Sequence, residues 1–199
     1  GRSALGSNTT GGSNTAVGYL AADAVTTGNN NVTVGASAMS ANTVGDRNVA
    51  IGNNALAAYN PASDEDSYNV AIGHDAGKAV TTGTFNTFLG GLTGDALTTG
   101  ADNTALGMAA LGNDTKGNKA VAVGEGALHN QNFTTSTDNY NVAVGFDAGN
   151  DITTGINNTL IGALAGDALT DADQNVAVGV NALASDTLGS KSVAIGEGS

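Results

Sequence analysis

The sequence has no cysteine and no tryptophan, a single proline, and aromatic residues at only 4% of its 199 positions. Without cysteine there is neither a disulfide framework nor a thiolate metal site. With so few large aromatic side chains, a thick globular core is not expected. The apolar residues that remain predict a thin core of valine, leucine, isoleucine and alanine.

Positive charge is also scarce, because six Lys and Arg residues stand against 18 Asp and Glu residues, for a net charge of −12. Nucleic-acid binding is therefore not expected, since contacts to phosphates need clustered positive charge. The same deficit argues against binding to anionic membrane surfaces. No apolar run reaches transmembrane length and no signal peptide is visible, so no membrane insertion is predicted for this segment.

What the chain does contain is a repeat. The phrase Asn-Val-Ala-Ile-Gly at residues 48–52 returns in close variants along the whole sequence, each copy ending in a glycine. Successive closing glycines are 17 residues apart, except for two steps of 21. A fixed phrase at a fixed interval indicates a solenoid or array, in which each unit contacts mainly its neighbours. The closing glycines are Gly18, Gly35, Gly52, Gly73, Gly90, Gly107, Gly124, Gly145, Gly162, Gly179 and Gly196.

A longer period is superimposed on the short one. Four units make 72 residues, so that Gly1, Gly73 and Gly145 correspond, as do Tyr68 and Tyr140. We interpret residues 1–199 as one solenoid segment of a longer fibre.

Within each phrase the side chains alternate with a period of two, which predicts a short β-strand. We expect the bulky face, represented by Val49 and Ile51, to be buried, together with Val70, Ile72, Val142, Val144, Val176 and Val178. The small residue three positions after each closing glycine, such as Ala55, is interpreted as the start of a second strand. Helix is rejected because glycine recurs too often for a helix of stable length.

The predicted fold is therefore all-β: a narrow parallel β-solenoid with 17-residue coils and two 21-residue coils. Stacking eleven strands at the usual spacing gives a rise of about 50 Å.

A packed core is supported by two positions that vary together. The position four after the closing glycine is large at Leu56 and Leu111, and small at Gly77 and Gly94. Where it is small, the position seven after the glycine is large, as at Leu97. One slot per coil is thus filled from either of two places, as a close-packed interior requires.

The asparagine that opens most phrases predicts a structural ladder. Stacked coils place like residues about 4.8 Å apart, so that side-chain amides can bond along the column. The ladder residues are Asn14, Asn31, Asn48, Asn69, Asn86, Asn103, Asn141, Asn158 and Asn175.

These phrases, followed by Gly-x-x-Ala, resemble the head repeats of trimeric autotransporter adhesins. Units with Thr-Thr-Gly turns resemble repeats of bacterial surface proteins and phage-type tail fibres, many of which end in an endosialidase-type chaperone domain. The resemblance covers essentially the whole sequence, although these coils are longer than those of adhesin heads and carry insertions every four units. It implies a left-handed β-roll, three chains side by side, and a role in attachment.

The functional expectation is a non-enzymatic structural and attachment segment of an extracellular trimeric fibre, in a surface adhesin or the tail fibre of a phage or injection system. Its partners would be two further copies of the chain and a host-surface glycan or protein receptor. We expect the copies to pack on the alanine face of the strands, represented by Ala50, Ala122 and Ala194. The alternatives are an ice- or crystal-surface-binding solenoid, in which threonines such as Thr26 and Thr81 form a ranked array, and a glycan-cleaving β-helix.

The two longer coils should form protruding loops at residues 57–68 and 129–140, on the surface that varies most between units. Tyrosine is a common contact residue when exposed. The candidate receptor contacts are Tyr59, Tyr68, Phe133 and Tyr140.

Neither a catalytic group, a cofactor nor a metal is predicted. His74 and His129 lack partners at the spacing of a triad or a zinc site. The acidic cluster at residues 64–66 lacks the spacing of known calcium loops. Asp23, Asp95 and Asp167 recur every four units and are expected to accept hydrogen bonds at a turn.

Overall fold

Eleven three-residue strands, one for each repeated phrase, stack in chain order into one parallel sheet in the computed structural model, which describes residues 1–199. The fold is all-β and contains no helix, which confirms the predicted parallel β-solenoid and its strand positions. The strands are β1 Thr15–Val17, β2 Val32–Val34, β3 Val49–Ile51, β4 Val70–Ile72, β5 Thr87–Leu89, β6 Thr104–Leu106, β8 Val121–Val123, β10 Val142–Val144, β11 Thr159–Ile161, β12 Val176–Val178 and β13 Val193–Ile195. Two further strands of two residues, β7 Gly117–Asn118 and β9 Thr137–Asp138, pair with each other.

Equivalent residues of neighbouring coils pair directly, also where a coil is longer. Across the first 21-residue step, for example, Ala50 pairs with Ala71 and Ile51 with Ile72. The extra residues are therefore accommodated outside the main sheet. Each column of equivalent positions runs unbroken along the solenoid.

The segment after each closing glycine is a turn, so the predicted second strand is wrong. Asn54 and Leu56 have φ angles of 55° and 49°, and equivalent residues of other coils repeat this alternation. Left-handed residues at every second position prevent an extended conformation. The turns still bond along the solenoid axis, since the Leu56 amide donates to the Ala76 carbonyl at 3.0 Å.

The strands face the opposite way to the one predicted. Ala50 is fully buried inside its own coil, whereas Val49 and Ile51 on the outer face are only half-buried. The other valines and isoleucines predicted to be buried, namely Val70, Ile72, Val142, Val144, Val176 and Val178, are half-buried too. The cause is space, because large side chains from the turn already fill the interior opposite the strand, and alanine fits the remaining width.

The predicted exchange between two core positions is confirmed. Its large members are fully buried on both sides, including Met39, Leu56, Leu111 and Leu128 from one position and Val25, Val80, Leu97, Ile152 and Leu169 from the other. The structure adds a third source for the same slot. Phe88 replaces the inward alanine of its strand and lies over Gly77 and Gly94, and Leu160 does the same over Gly149 and Gly166.

The asparagine side chains form a buried column that ties each coil to the next and closes it across its width. Asn48 donates its side-chain N–H to Asn31 Oδ1 at 3.1 Å, and its backbone N–H reaches the same oxygen at 2.9 Å. Asn31 in turn donates to the carbonyl of the turn residue Gly45 at 2.9 Å. One amide thus satisfies backbone groups on both sides of the coil, as buried polar groups require.

The core exchange predicts the outcome of a matched pair of substitutions. At Gly94 the φ angle is +57° and an added Cβ would lie 2.6 Å from Phe88 Cε1. At Gly91 the φ angle is ordinary and the nearest atom would be 3.9 Å away. We expect Gly94→Ala to lower the free energy of unfolding by about 1–3 kcal/mol, through strain and overpacking, and Gly91→Ala to change it by less than about 0.5 kcal/mol.

Thermal or denaturant unfolding measures both variants. The double change Phe88→Ala with Gly94→Leu recreates the combination found at Ala105 and Leu111, and should recover part of the loss. Equal effects of Gly91→Ala and Gly94→Ala would contradict this account of the core.

Candidate contact surface

The outer face of the sheet carries an unbroken column of aliphatic side chains from the last residue of every strand. Its exposed fraction reaches 46% at Leu89 and 41% at Ile161, within the interior of the solenoid. We call this the aliphatic column; it consists of Val17, Val34, Ile51, Ile72, Leu89, Leu106, Val123, Val144, Ile161, Val178 and Ile195.

Two further columns flank this face. The leading column holds the residue that precedes the ladder position in each coil, such as Tyr68, Phe85 and Lys119. The trailing column holds the residue that follows the closing glycine, such as His74, Met108 and Glu125. Both columns lie at the ends of the strand, one on each side of the outward side chains.

Exposed large apolar side chains concentrate on this one face. Twelve of the fourteen in the chain belong to it, and only Leu92 and Leu188 lie elsewhere. They are Val17, Leu89, Ile161, Val193 and Ile195 on the strands, Tyr68, Phe85 and Tyr140 in the leading column, and Tyr19, Met108, Phe146 and Val180 in the trailing column. A continuous apolar surface of this kind marks an interaction site in soluble proteins.

The first insertion is anchored by a buried tyrosine. Tyr59 is fully buried over Gly45 and donates its hydroxyl to Ser67 Oγ. Burial raises the pKa of Tyr59 to about 12. The chain between these two residues turns outward, and residues 62–64 are exposed.

The second insertion is anchored by a buried polar network instead. Gln131 donates to Asp114 Oδ2 at 2.6 Å and accepts from the Asn141 side chain at 2.8 Å. Asn139 Oδ1 accepts the backbone N–H of Asn141 at 2.9 Å. These side chains replace the ladder amide that is missing at Ala120, in the preceding coil, and residues 134–136 form the exposed tip.

Of the four candidate receptor contacts, two are wrong. Tyr59 is fully buried and Phe133 is only 5% exposed, because both anchor the insertions against the coil. Tyr68 and Tyr140 are about half exposed, but they lie in the leading column beside the aliphatic face and not at the loop tips. The structure therefore separates the tyrosines from the protruding residues.

Each exposed tyrosine stands beside a cation one coil away and 21 residues earlier. Arg47 forms an ion pair with Asp66 and lies over the ring of Tyr68, which stacks on Phe85 with centroids 6.0 Å apart. One superrepeat later, Lys119 pairs with Asp138 at 2.5 Å and lies 5.3 Å from the centroid of Tyr140.

The second of these pairs shifts both charged groups. The hydrogen bond to Asp138 raises the pKa of Lys119, and the same bond lowers the pKa of Asp138. Charge and ring are thus held together at the same point of both superrepeats. The equivalence of Arg47 with Lys119 and of Tyr68 with Tyr140 follows the 72-residue period.

The outward aliphatic column is the feature that sequence reasoning missed. A signal was present, because the position that ends each strand is Val, Ile or Leu in every coil. The alternate position, assigned to a contact between chains, contains Thr33, Phe88 and Leu160, whose sizes no uniform contact between chains would accept. Variation in side-chain volume marks the inward face here, because each coil compensates it internally.

The remaining candidates form no chemical centre. No group of three or more His, Asp or Glu side chains is placed to hold a metal ion. His74 is exposed, and His129 Nδ1 lies 3.0 Å from the carbonyl of Ala109. The model has no helix long and apolar enough to cross a membrane.

The threonine ranks are engaged within the chain. The Thr26 hydroxyl donates to the carbonyl of Thr43 at 3.1 Å, and Thr81 donates to Thr98 at 3.1 Å in the same way. These hydroxyls tie one coil to the next, so the observation does not favour the ice-binding alternative.

Comparison with models of known protein families, with curated proteins and with solved structures gave no match. The assignment of this surface therefore depends on its own geometry.

The aspartates that recur in the turns differ from expectation. The buried Oδ1 atoms of Asp23 and Asp167 have no hydrogen-bond partner. Burial raises the pKa of Asp95 and of Asp167. Their charged forms are therefore incompletely compensated by the fold.

The raised pKa of Asp167 predicts a pH-dependent gain on substitution. The folded state holds this proton more tightly than the unfolded state, so stability falls as pH rises through the folded pKa. Asp167→Asn should raise stability at pH 7 by a few tenths of a kcal/mol, after screening by solvent, with no gain below the unfolded pKa. Unfolding midpoints across pH measure this.

Asp171 is the matched control, because hydrogen bonds from Thr153 and Thr154 lower its pKa. Its contribution to stability has the opposite sign and is lost as pH falls through the folded pKa. A gain in stability from Asp171→Asn at pH 7, or none from Asp167→Asn, would contradict the assignment.

Proposed function

We propose that this chain is a structural and attachment segment of an extracellular trimeric fibre, in a surface adhesin or in the tail fibre of a phage or injection system. The observation that carries the proposal is the aliphatic column with its two flanking columns. A solenoid that exposed this face to water along its whole length would be prone to associate. Association that covers the face removes it from water and stabilises the assembly.

Copies of the same chain are the partners that fit this face best. Its side chains recur once per coil, at the spacing of stacked strands, about 4.8 Å. A partner covers all eleven positions only if its own surface repeats at the same interval, and another copy does so by construction. Parallel copies arranged around one axis also close the assembly, so that no apolar face is left free.

Three copies are favoured by the resemblance of the repeats to adhesin heads and tail fibres. In that arrangement the aliphatic columns point toward the common axis, and the turns and insertions point away from it. The alanine column plays no part, because it is enclosed within each chain.

Attachment is assigned to the insertion tips, residues 62–66 and 134–136. They are the surface that departs most from the repeat, and most of their residues are exposed. A host-surface glycan or protein is the proposed receptor, in keeping with the role of variable loops on rigid scaffolds. Two tips per chain in a trimer would present six contacts, which favours binding through avidity.

The proposal predicts the mass of the protein in solution. Native mass spectrometry or light scattering should give three times the chain mass of 19.3 kDa. Val123→Lys places a charge on the aliphatic column and should dissociate the trimer, because a buried unpaired charge is costly. Leu188→Lys makes a comparable change at a residue that is 67% exposed and off this face, and should leave the mass unchanged.

A wild-type protein that remains at the mass of one chain at all concentrations would contradict the proposal. So would a trimer that Val123→Lys and Leu188→Lys affect equally.

A further inference from the structure

The leading and trailing columns carry matched side chains at the two ends of the same coil. In the coil that closes at Gly124, the leading residue is Lys119 and the trailing residue is Glu125. In the equivalent coil one superrepeat later, they are Lys191 and Glu197. Basic and acidic residues therefore recur together every four coils, on opposite sides of the aliphatic column.

Within one chain these residues do not meet. Six residues of mostly extended backbone separate them, roughly 20 Å at the usual rise per residue. Glu125, Glu197 and Lys191 form no ion pair in the chain, and Lys119 pairs with Asp138 on its own side. Three of the six basic residues of this acidic protein, Arg47, Lys119 and Lys191, nevertheless occupy the leading column at 72-residue intervals.

Rotation about the fibre axis brings the two columns together. Such a rotation keeps every residue at its height, so that a coil meets the same coil of the next chain. It also places the leading column of one chain beside the trailing column of its neighbour. Lys119 then faces Glu125 of the next copy, and Lys191 faces Glu197.

The other coils are matched in size and polarity. Tyr68 faces His74 and Tyr140 faces the aromatic ring of Phe146, whereas Phe85 faces Gly91. No coil places two like charges opposite each other. These are complementary pairings of the kind that fix the register of an interface.

A displacement by one coil removes the match. If each leading residue met the trailing residue of the following coil, Asp102 would face Glu125, and two carboxylates would be opposed. The aliphatic column alone does not discriminate between these arrangements, because it is nearly uniform from coil to coil. Opposed like charges supply the penalty that discriminates.

We infer that the leading and trailing columns form the contacts between neighbouring chains, with the four-coil superrepeat setting the axial register through Lys119 to Glu125 and Lys191 to Glu197 contacts between copies. This inference rests on the proposed trimer and adds the partner of each edge. It also gives a role to the 72-residue period, which the fold of a single chain does not require.

Site-directed cross-linking tests the inference without a cysteine background, since the chain has none. A chain that carries both Lys119→Cys and Glu125→Cys should form covalent trimers on mild oxidation, seen on non-reducing gels. A disulfide needs Cα atoms within about 7 Å, so the two cysteines of one chain are too far apart to close on each other. Mixed assemblies of the two single variants should give covalent dimers.

Two controls shift the partner by one coil. Lys119→Cys combined with Met108→Cys, or with Phe146→Cys, should cross-link at least tenfold less than the matched pair. Lys191→Cys with Glu197→Cys repeats the matched test at a site without an ion pair in the chain, in case loss of the Lys119–Asp138 contact disturbs folding.

The outcomes separate the inference from the proposed function. Trimeric mass with cross-linking of both matched pairs supports both. Trimeric mass with cross-linking only in a shifted pair, or in none, overturns the register and leaves the trimer standing. A single-chain mass without cross-links overturns both.

Discussion

The structure depends on the close approach of backbones at the closing glycines. At Gly73 the φ angle is +147°, and an added Cβ would lie 2.1 Å from the carbonyl oxygen of Gly90. Only glycine permits this corner, and the same constraint applies at the equivalent position of each coil that has another stacked on it. The corner stacks the strands in register, and the asparagine ladder then closes each coil across its width. Together they leave an interior so narrow that a single large side chain per coil fills it.

This narrow interior explains which parts of the fold were predictable. The period of the glycines and the alternation in each phrase predict the solenoid, its strand positions and the exchange between Leu56-type and Leu97-type residues. They do not predict which face of the strand is inside, because hydrophobicity alone places Val49 and Ile51 in the core. The volume already occupied by the turn residues decides for Ala50. The second strand was wrong for a related reason, since left-handed residues such as Asn54 are not visible as a pattern in composition.

The contact surface was predictable only in part. The insertions were located from the change in period, but their aromatic residues were assigned to the surface. Tyr59 and Phe133 are instead needed as anchors, because a loop that leaves a narrow coil must seal the gap it opens. Gln131 and Asn139 replace a missing ladder amide through contacts that no spacing rule indicates. The outward column is the reverse case: a uniform run of aliphatic residues was visible, and its uniformity fits a contact between repeating chains.

The central claim is that the aliphatic column is covered by other copies of this chain while the alanine column is covered by the chain itself. Methyl NMR with a soluble paramagnetic agent tests it, because signal loss reports exposure of each methyl group. The core residue Ile152 and the exposed residue Leu188 supply internal references, at 0% and 67% exposure. The account predicts that the methyl groups of Ile51, Ile72 and Ile161 are protected like those of Ile152. Broadening of these three residues to the extent seen at Leu188 would contradict it.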